Sequence, residues 1–292
     1  MILYAGQRIF RNFEKYCFSM VVFPNAKINL GLNIVGRRAD GYHNIETVMY
    51  PVGWCDVLEI VPAKGGSTTL TVTGRGVDCP PEKNLVMKAY RLLREQADIP
   101  DVDIYLRKII PDGAGLGGGS ADASFTLMCL NGLFNLNLST LQLTAMASRI
   151  GADCPFFIHN RPMLATGIGT DFTPIDLDMS GYTIAIVKPQ ASVPTAKAYS
   201  GVIPRPSTLD LRESLMPEPA HWNGIVKNDF ETTVFPAYPE IRDVKAKLQQ
   251  AGAEYVSMSG SGSAVYGIFR GDILSEKLKR DFPGHDIFTG NM

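Results

Sequence analysis

The 292-residue sequence contains no run of about 18 consecutive apolar residues, so no segment reads as a membrane-spanning helix. Neither sign of charge is in excess: 28 Lys and Arg stand against 29 Asp and Glu, a formal net charge of −1. A protein whose main work is holding nucleic acid needs a basic excess to displace counterions, so that class is set aside. Cysteine is scarce and scattered. Cys17, Cys55, Cys79, Cys129 and Cys154 are odd in number and form no CxxC pair, which argues against a disulfide framework or a thiolate metal site and fits a reducing cytoplasm. His43, His159, His221 and His285 are equally dispersed, without HExxH-like spacing. Metal ligands are therefore unknown from the sequence, and any metal is expected to arrive with a bound molecule.

What is present is the composition of a globular chain, 45% hydrophobic and 20% charged, long enough for one large or two medium domains. In residues 1–19, Arg8, Arg11, Glu14 and Lys15 interrupt the apolar positions and spoil a signal-peptide core. Met20 is the expected initiator, with 1–19 an over-called start. The competing expectation is an N-terminal extension that packs on the body.

From Ala26 to Ile34 the residues alternate, which predicts a half-buried strand with Ala26, Ile28, Leu30, Leu32 and Ile34 on one face and Lys27, Asn29, Gly31 and Asn33 on the other. Further strands are expected at Ile45–Val52, Val57–Val61, Thr68–Thr73 and Val102–Arg107. Asn84 is placed to cap a helix running to about Ala97, and Ser139 with Gln142 forms a capping box for a helix ending near Gly151. Later come a strand at Tyr182–Val187, a proline-rich stretch from Pro189 to Pro219, a helix at Pro239–Gln250 and strands at Tyr255–Met258 and Ala264–Phe269. Strands and helices without regular βαβ alternation indicate an α+β chain in two halves, divided near 165/166.

The sharpest local signal is PDGAGLGGGSADAS at Pro111–Ser124, with five glycines in the seven residues Gly113–Gly119, between a strand and a helix. Glycine tolerates the positive φ angles that turn several N–H groups into one concavity, and the helix start adds its positive dipole end; phosphate binding follows. A tight strand-to-helix turn is the plain structural alternative. The spacing is not GxxxxGK[ST], which disfavours a P-loop NTPase, and no acidic residue about 20 positions on supports a dinucleotide fold.

Four blocks together, PNAKINLGLNIVGRRADGYHNIETV (24–48), PDGAGLGGGSADAS (111–124), GADCPFF (151–157) and SMSGSGSAVYGIF (257–269), resemble the GHMP small-molecule kinase superfamily. The first and third resemble its branch acting on diphosphocytidyl-methylerythritol. The resemblance implies an α+β two-domain GHMP kinase fold, with a ribosomal S5-like N-terminal domain over 20–165 and a ferredoxin-like C-terminal domain over 166–292. It implies ATP as co-substrate with Mg²⁺, and phosphorylation of the 2-hydroxyl of a small molecule carrying a cytidine diphosphate group, in the non-mevalonate route to isoprenoid precursors, by a cytoplasmic monomer or homodimer.

By motif position, the resemblance makes Lys27 and Asp153 a catalytic pair, with Asp153 either taking the hydroxyl proton or orienting the hydroxyl. It makes Pro111, Asp112, Gly113, Ala114, Gly115, Leu116, Gly117, Gly118, Gly119, Ser120 and Ala121 the ATP-phosphate loop. Asn29, Tyr42, His43 and Asp153 become substrate contacts, with Tyr42 and His43 lining the pocket for the base. Ser120 is a candidate for touching phosphate or Mg²⁺ as well as a helix cap. Asp112 departs from the family pattern; its side chain either points to solvent or helps hold Mg²⁺. SGSGS at Ser259–Ser263 is expected to close against the phosphate region; in NDFE (228–231) Asn228 and Asp229 match the family pattern, and Phe230 and its neighbours are read as packing without a catalytic role. Alternatives kept open are a kinase of homoserine or mevalonate type and a non-catalytic ligand sensor.

Overall fold

The computed structural model describes residues 19–76, 79–273 and 275–292. The expectation about a start at Met20 concerns residues that, Ser19 apart, lie outside these. The first part of the chain forms β1 (Met20–Val22), β2 (Asn25–Arg37), β3 (His43–Cys55), β4 (Val57–Pro62), β5 (Thr69–Gly74), α1 (Leu85–Arg94), β6 (Val102–Lys108), α2 (Gly118–Leu133), α3 (Thr140–Ser148), α4 (Cys154–His159), β7 (Met163–Thr166) and β8 (Asp171–Pro174). There follow β9 (Tyr182–Lys188), α5 (Thr195–Ser200), α6 (Leu211–Leu215), α7 (Glu231–Ala237), α8 (Pro239–Gln250), β10 (Tyr255–Met258), β11 (Val265–Arg270), α9 (Ser275–Asp281) and β12 (Asp286–Asn291).

Three four-stranded sheets result, ordered β1-β4-β6-β5, β2-β3-β7-β8 and β10-β11-β9-β12. The third, read from β12, is the antiparallel βαββαβ arrangement of a ferredoxin-like domain. Because β8 pairs with β7, the division expected at 165/166 falls inside a hairpin, and by sheet membership the break comes after Pro174.

Local signals explain most boundaries. The Asn84 side chain accepts from the Val86 N–H at 2.9 Å and starts α1, whose buried face carries Val86, Ala89, Tyr90 and Leu93. The helix stops at Arg94, a turn short of the expected Ala97. The Ser139–Gln142 capping box is formed in both directions. Helices α1, α2 and α3 share one core with Leu58, Ile60, Ile104 and Leu106 of the first sheet. A second core, including Ile28, Leu30, Tyr50, Ile186 and Tyr266, lies between the second and third sheets and joins the two halves. Each such side chain contributes roughly 1.5–3 kcal/mol on burial, so the halves are held as one body mainly by apolar contact.

Strand β2 departs from the expected alternation. Leu30 pairs with Val48 and Leu32 with Thr47, leaving Gly31 as the extra residue of a β-bulge at φ +68°. Leu32 and Ile34 thereby oppose Thr47 and Ile45 and join the face of Lys27 and Asn29, instead of the face of Ile28 and Leu30. A Cβ at Gly31 would come within 2.8 Å of Leu211 Cδ1, so close packing also requires glycine there. Nor is the strand half-buried: Lys27 is 3% and Asn29 2% exposed.

Candidate active site

A cavity of about 340 Å³ opens on the Lys27 face of β2, bounded by the glycine-rich loop of 111–119, the start of α4, the Ser259–Ser263 turn and α5. Gly113, Gly115 and Gly117 line it, all at positive φ, whereas Gly118 and Gly119 are already the first residues of α2. Gly117 occupies the cap position of α2 in left-handed conformation and offers no side chain to cap it. The first N–H groups of the helix therefore keep no capping partner, next to a dipole end worth about half a positive charge. Glycine is required at 115 because a Cβ would collide with the Ser259 carbonyl oxygen. Ser259 Oγ donates to Gly115 O at 2.9 Å and Ala264 N–H to Ala114 O at 3.1 Å, so the SGSGS turn does close on the loop. It is also the hairpin turn between β10 and β11.

Lys27 Nζ stands 3.4 Å from Asp153 Oδ2 although 126 positions separate the two residues in the chain (153 − 27). Asp153 holds the cap position of α4, but its side chain makes no capping bond. It turns to the cavity instead and stays a third exposed. Asn29 has a role that differs from a simple substrate contact: its Oδ1 accepts from Lys27 Nζ at 2.6 Å, and its Nδ2 donates to Thr47 Oγ1 at 3.0 Å. The ammonium is thus aimed by a buried relay, with Asp153 as its water-facing partner.

Tyr42 and His43 are not brought together over the cavity. Tyr42 is 65% exposed on the hairpin between β2 and β3. His43 stacks on Tyr199 with ring centroids 4.8 Å apart and planes at 21°, and Tyr199 packs edge-on against Phe230 at 4.7 Å. Tyr199 and Phe230 both line the cavity. Burial and, next, the Asp153 charge push the Tyr199 phenol above its ordinary value, which keeps it a neutral hydroxyl. Asp112 is exposed and does not line the cavity, in keeping with a side chain pointing to solvent. Ser120 lies in the first turn of α2, without a capping role. Among the described residues no group of three His, Cys, Asp or Glu side chains is placed to hold a metal ion.

The family model for the GHMP kinases N terminal domain matches residues 84–161, and that for GHMP kinases C terminal matches residues 213–284. A 4-diphosphocytidyl-2-C-methyl-D-erythritol kinase of Azobacteroides pseudotrichonymphae is 50% identical over 255 residues, 86% of this chain and 94% of that one. One from Bacteroides fragilis is 48% identical over 266 residues, covering 90% and 96%. The chain belongs to the 4-diphosphocytidyl-2-C-methyl-D-erythritol kinase family of GHMP kinases. A crystal structure of 4-(cytidine 5'-diphospho)-2C-methyl-D-erythritol kinase superimposes on this kinase with a TM-score of 0.80 at 32% identity, over 94% of this chain and 100% of the other. Homoserine kinase from Cytophaga hutchinsonii, at 18% identity and a TM-score of 0.71, shares the fold.

Sequence reasoning missed Tyr199, which stands in the proline-rich stretch on the six-residue α5. It set Phe230 aside as packing. It also missed what Asn228 does: its Nδ2 donates to Met258 O at 2.7 Å and Gly260 O at 2.9 Å, backing the turn that meets the glycine-rich loop. The NDFE segment was the available signal, since a buried Asn beside a glycine turn is a natural donor to the turn's carbonyls.

Proposed function

We propose that this kinase transfers the γ-phosphoryl group of ATP to the 2-hydroxyl of 4-diphosphocytidyl-2-C-methyl-D-erythritol, a step toward isoprenoid precursors, with Lys27 and Asp153 at the reacting hydroxyl. The observation that carries the site assignment is the 3.4 Å approach of Lys27 to Asp153 in the cavity that ends on the uncapped glycine loop. Phosphoryl transfer asks little covalent chemistry of the protein and much positioning. Asp153 accepts the hydroxyl proton or orients it; Lys27 neutralises charge that develops between that oxygen and the phosphoryl group. The loop N–H groups hold the triphosphate, and the Ser259–Ser263 turn backs them.

Mg²⁺ fits as an ion carried by the phosphates. Asp153 is the one carboxylate among the described residues lining the cavity, and Mg²⁺ takes few protein oxygens beside phosphate and water. Bound there, it would neutralise phosphate charge, with Asp153 and the Ser120 hydroxyl as the protein groups to hold it. The base of the second substrate would lie along the His43–Tyr199 stack, with exposed Tyr42 free to cover it. The four described free cysteines support a reducing cytoplasm as the working compartment.

Purified chain with Mg²⁺, ATP and the cytidylyl substrate should consume ATP. The same substrate lacking the cytidylyl group should not support turnover, and Asp153→Asn should abolish it. ATP binding without turnover on the cytidylyl compound would refute the substrate and favour a kinase of another small alcohol, or a sensor.

A further inference from the structure

Asn228 stands just before α7 and is buried, yet it does not line the cavity. Its Nδ2 reaches two carbonyls of the β10–β11 turn, those of Met258 and Gly260, while its Oδ1 accepts from the Phe230 N–H at 3.0 Å. Asparagine suits the place because one planar amide offers two N–H bonds and an acceptor. The neighbours of Asn228 stitch it to β2 beyond the Gly31 bulge, where Leu32 and Asn228 form a parallel bridge. Leu32 N–H donates to Lys227 O at 2.8 Å, Asp229 N–H to Leu32 O at 2.8 Å, and Ile34 N–H to Asp229 Oδ2 at 2.7 Å. Asn228 is therefore held by the strand, and the turn is held by Asn228.

Gly260 is the residue on which this hold acts. Among the described hydrogen bonds its carbonyl accepts from Asn228 and from no backbone N–H. It lines the cavity at φ +56°, and a Cβ there would stand 3.2 Å from Gly115 Cα and 3.4 Å from Asn29 Oδ1. Gly115 belongs to the glycine-rich loop, and Asn29 Oδ1 is the acceptor that aims Lys27 Nζ. One residue of the turn thus packs against both the loop and the relay behind the lysine.

We propose that Asn228 is a positioning residue for phosphoryl transfer: through Gly260 it fixes the spacing between the triphosphate-holding loop and the Asn29–Lys27 relay. This rests on the reading of 111–121 as the triphosphate cradle. Asn228 touches neither substrate. Its loss leaves two turn carbonyls without their donor and lets Gly260 withdraw from Gly115 and Asn29. Nucleotide is then held less well, and Lys27 loses its aim at the reacting oxygen.

The test compares Asn228→Ala with the wild type and with Val234→Ala, which removes buried methyl groups from the adjoining helix and no hydrogen bond of the turn. In Asn228→Ala, kcat should fall by about 10-fold to 10²-fold and KM for Mg-ATP should rise, with KM for the cytidylyl substrate moving less. Val234→Ala should lower the urea midpoint and leave these constants near wild type. Wild-type kinetics in Asn228→Ala, or the same shift in Val234→Ala, overturns the proposal. Hydrogen exchange of the wild-type chain gives a reading that needs no variant: Mg-ATP should slow exchange over 258–264 and at the Phe230 N–H together. Slowing over 258–264 that leaves the Phe230 N–H unchanged overturns the role of Asn228 while the cradle reading stands. A folded wild-type chain that binds no Mg-ATP overturns the cradle reading, and the role of Asn228 falls with it.

Discussion

Lys27 and Lys108 are both buried lysines facing carboxylates beside the same glycine loop, yet they are wired in opposite ways. Lys108 is enclosed: two nearly inaccessible carboxylates accept from two of its three N–H bonds, and it does not line the cavity. Burial pulls its ammonium down, but Asp122 and Asp56 carry it above its ordinary value. Lys27 has one neutral acceptor at 2.6 Å and one carboxylate at 3.4 Å, and that carboxylate is a third exposed. The lesson is that burial of a lysine does not mark a reacting group. An incompletely satisfied charge that faces an open cavity is the candidate for one, and a closed triad beneath a backbone loop marks architecture.

The comparison breaks if the two lysines respond alike to removal of their partners. The largest expected effect is at the open pair: Asp153→Asn and Lys27→Met should each lower kcat by roughly 10²–10⁴-fold, measured in steady state with both substrates saturating. Asp153→Asn should leave the urea midpoint close to that of the wild type, since the side chain makes no capping bond and is partly solvated. At the closed triad the damage should be to folding: Lys108→Met strands two buried carboxylates and is expected to cost about 3–5 kcal/mol in urea unfolding. A Lys108→Met protein as stable as wild type, or a Lys27→Met protein that unfolds, would erase the distinction.

The smallest effect sharpens the comparison through pH. The Asp122 carboxyl is raised from its ordinary 3.8 to about 7 in the folded chain, so folding favours its protonated form. Its contribution to stability is fully present below the unfolded value and is lost as pH rises through about 7. The melting temperature of the wild type should therefore fall between those two limits by more than that of Asp122→Asn. Parallel melting curves across that window would show that the triad keeps its charges at neutral pH.

Much of the scaffold was legible because its signals are local. The Ser139 capping box, the helix Pro239–Gln250 and the strand Tyr255–Met258 depend on residues within a turn or two of each other, and they stand where the patterns put them. The glycine loop was legible for the same reason. Burial of Lys27 was not, since an alternating strand shows which residues share a face but not that a loop and a turn will cover the polar one. The Gly31 bulge was not legible either, because a glycine in an alternating run reads as one more small residue. Asp56, Lys108 and Asp122 look like ordinary surface charges along the chain, and only the meeting of β6, α2 and the β3–β4 junction makes them a unit. Tyr199 was hidden by its setting, a stretch whose prolines suppress any periodic signal.

The extra residue at Gly31 makes β2 behave as two rulers joined out of phase. Lys27 and Leu32 are an odd number of positions apart and still share a wall of the cavity, which a regular strand forbids. One apolar series thereby serves two cores, with Ile28 and Leu30 in one and Leu32 and Ile34 in the other. Were Gly31 held as a regular strand residue and not as a bulge, the composition of the strand would be untouched and its parity reversed from that point on. The far wall of the cavity would then lose Leu32 to the opposite face and gain Asn33, so the shape of the cavity depends on a residue that contributes no side chain to it.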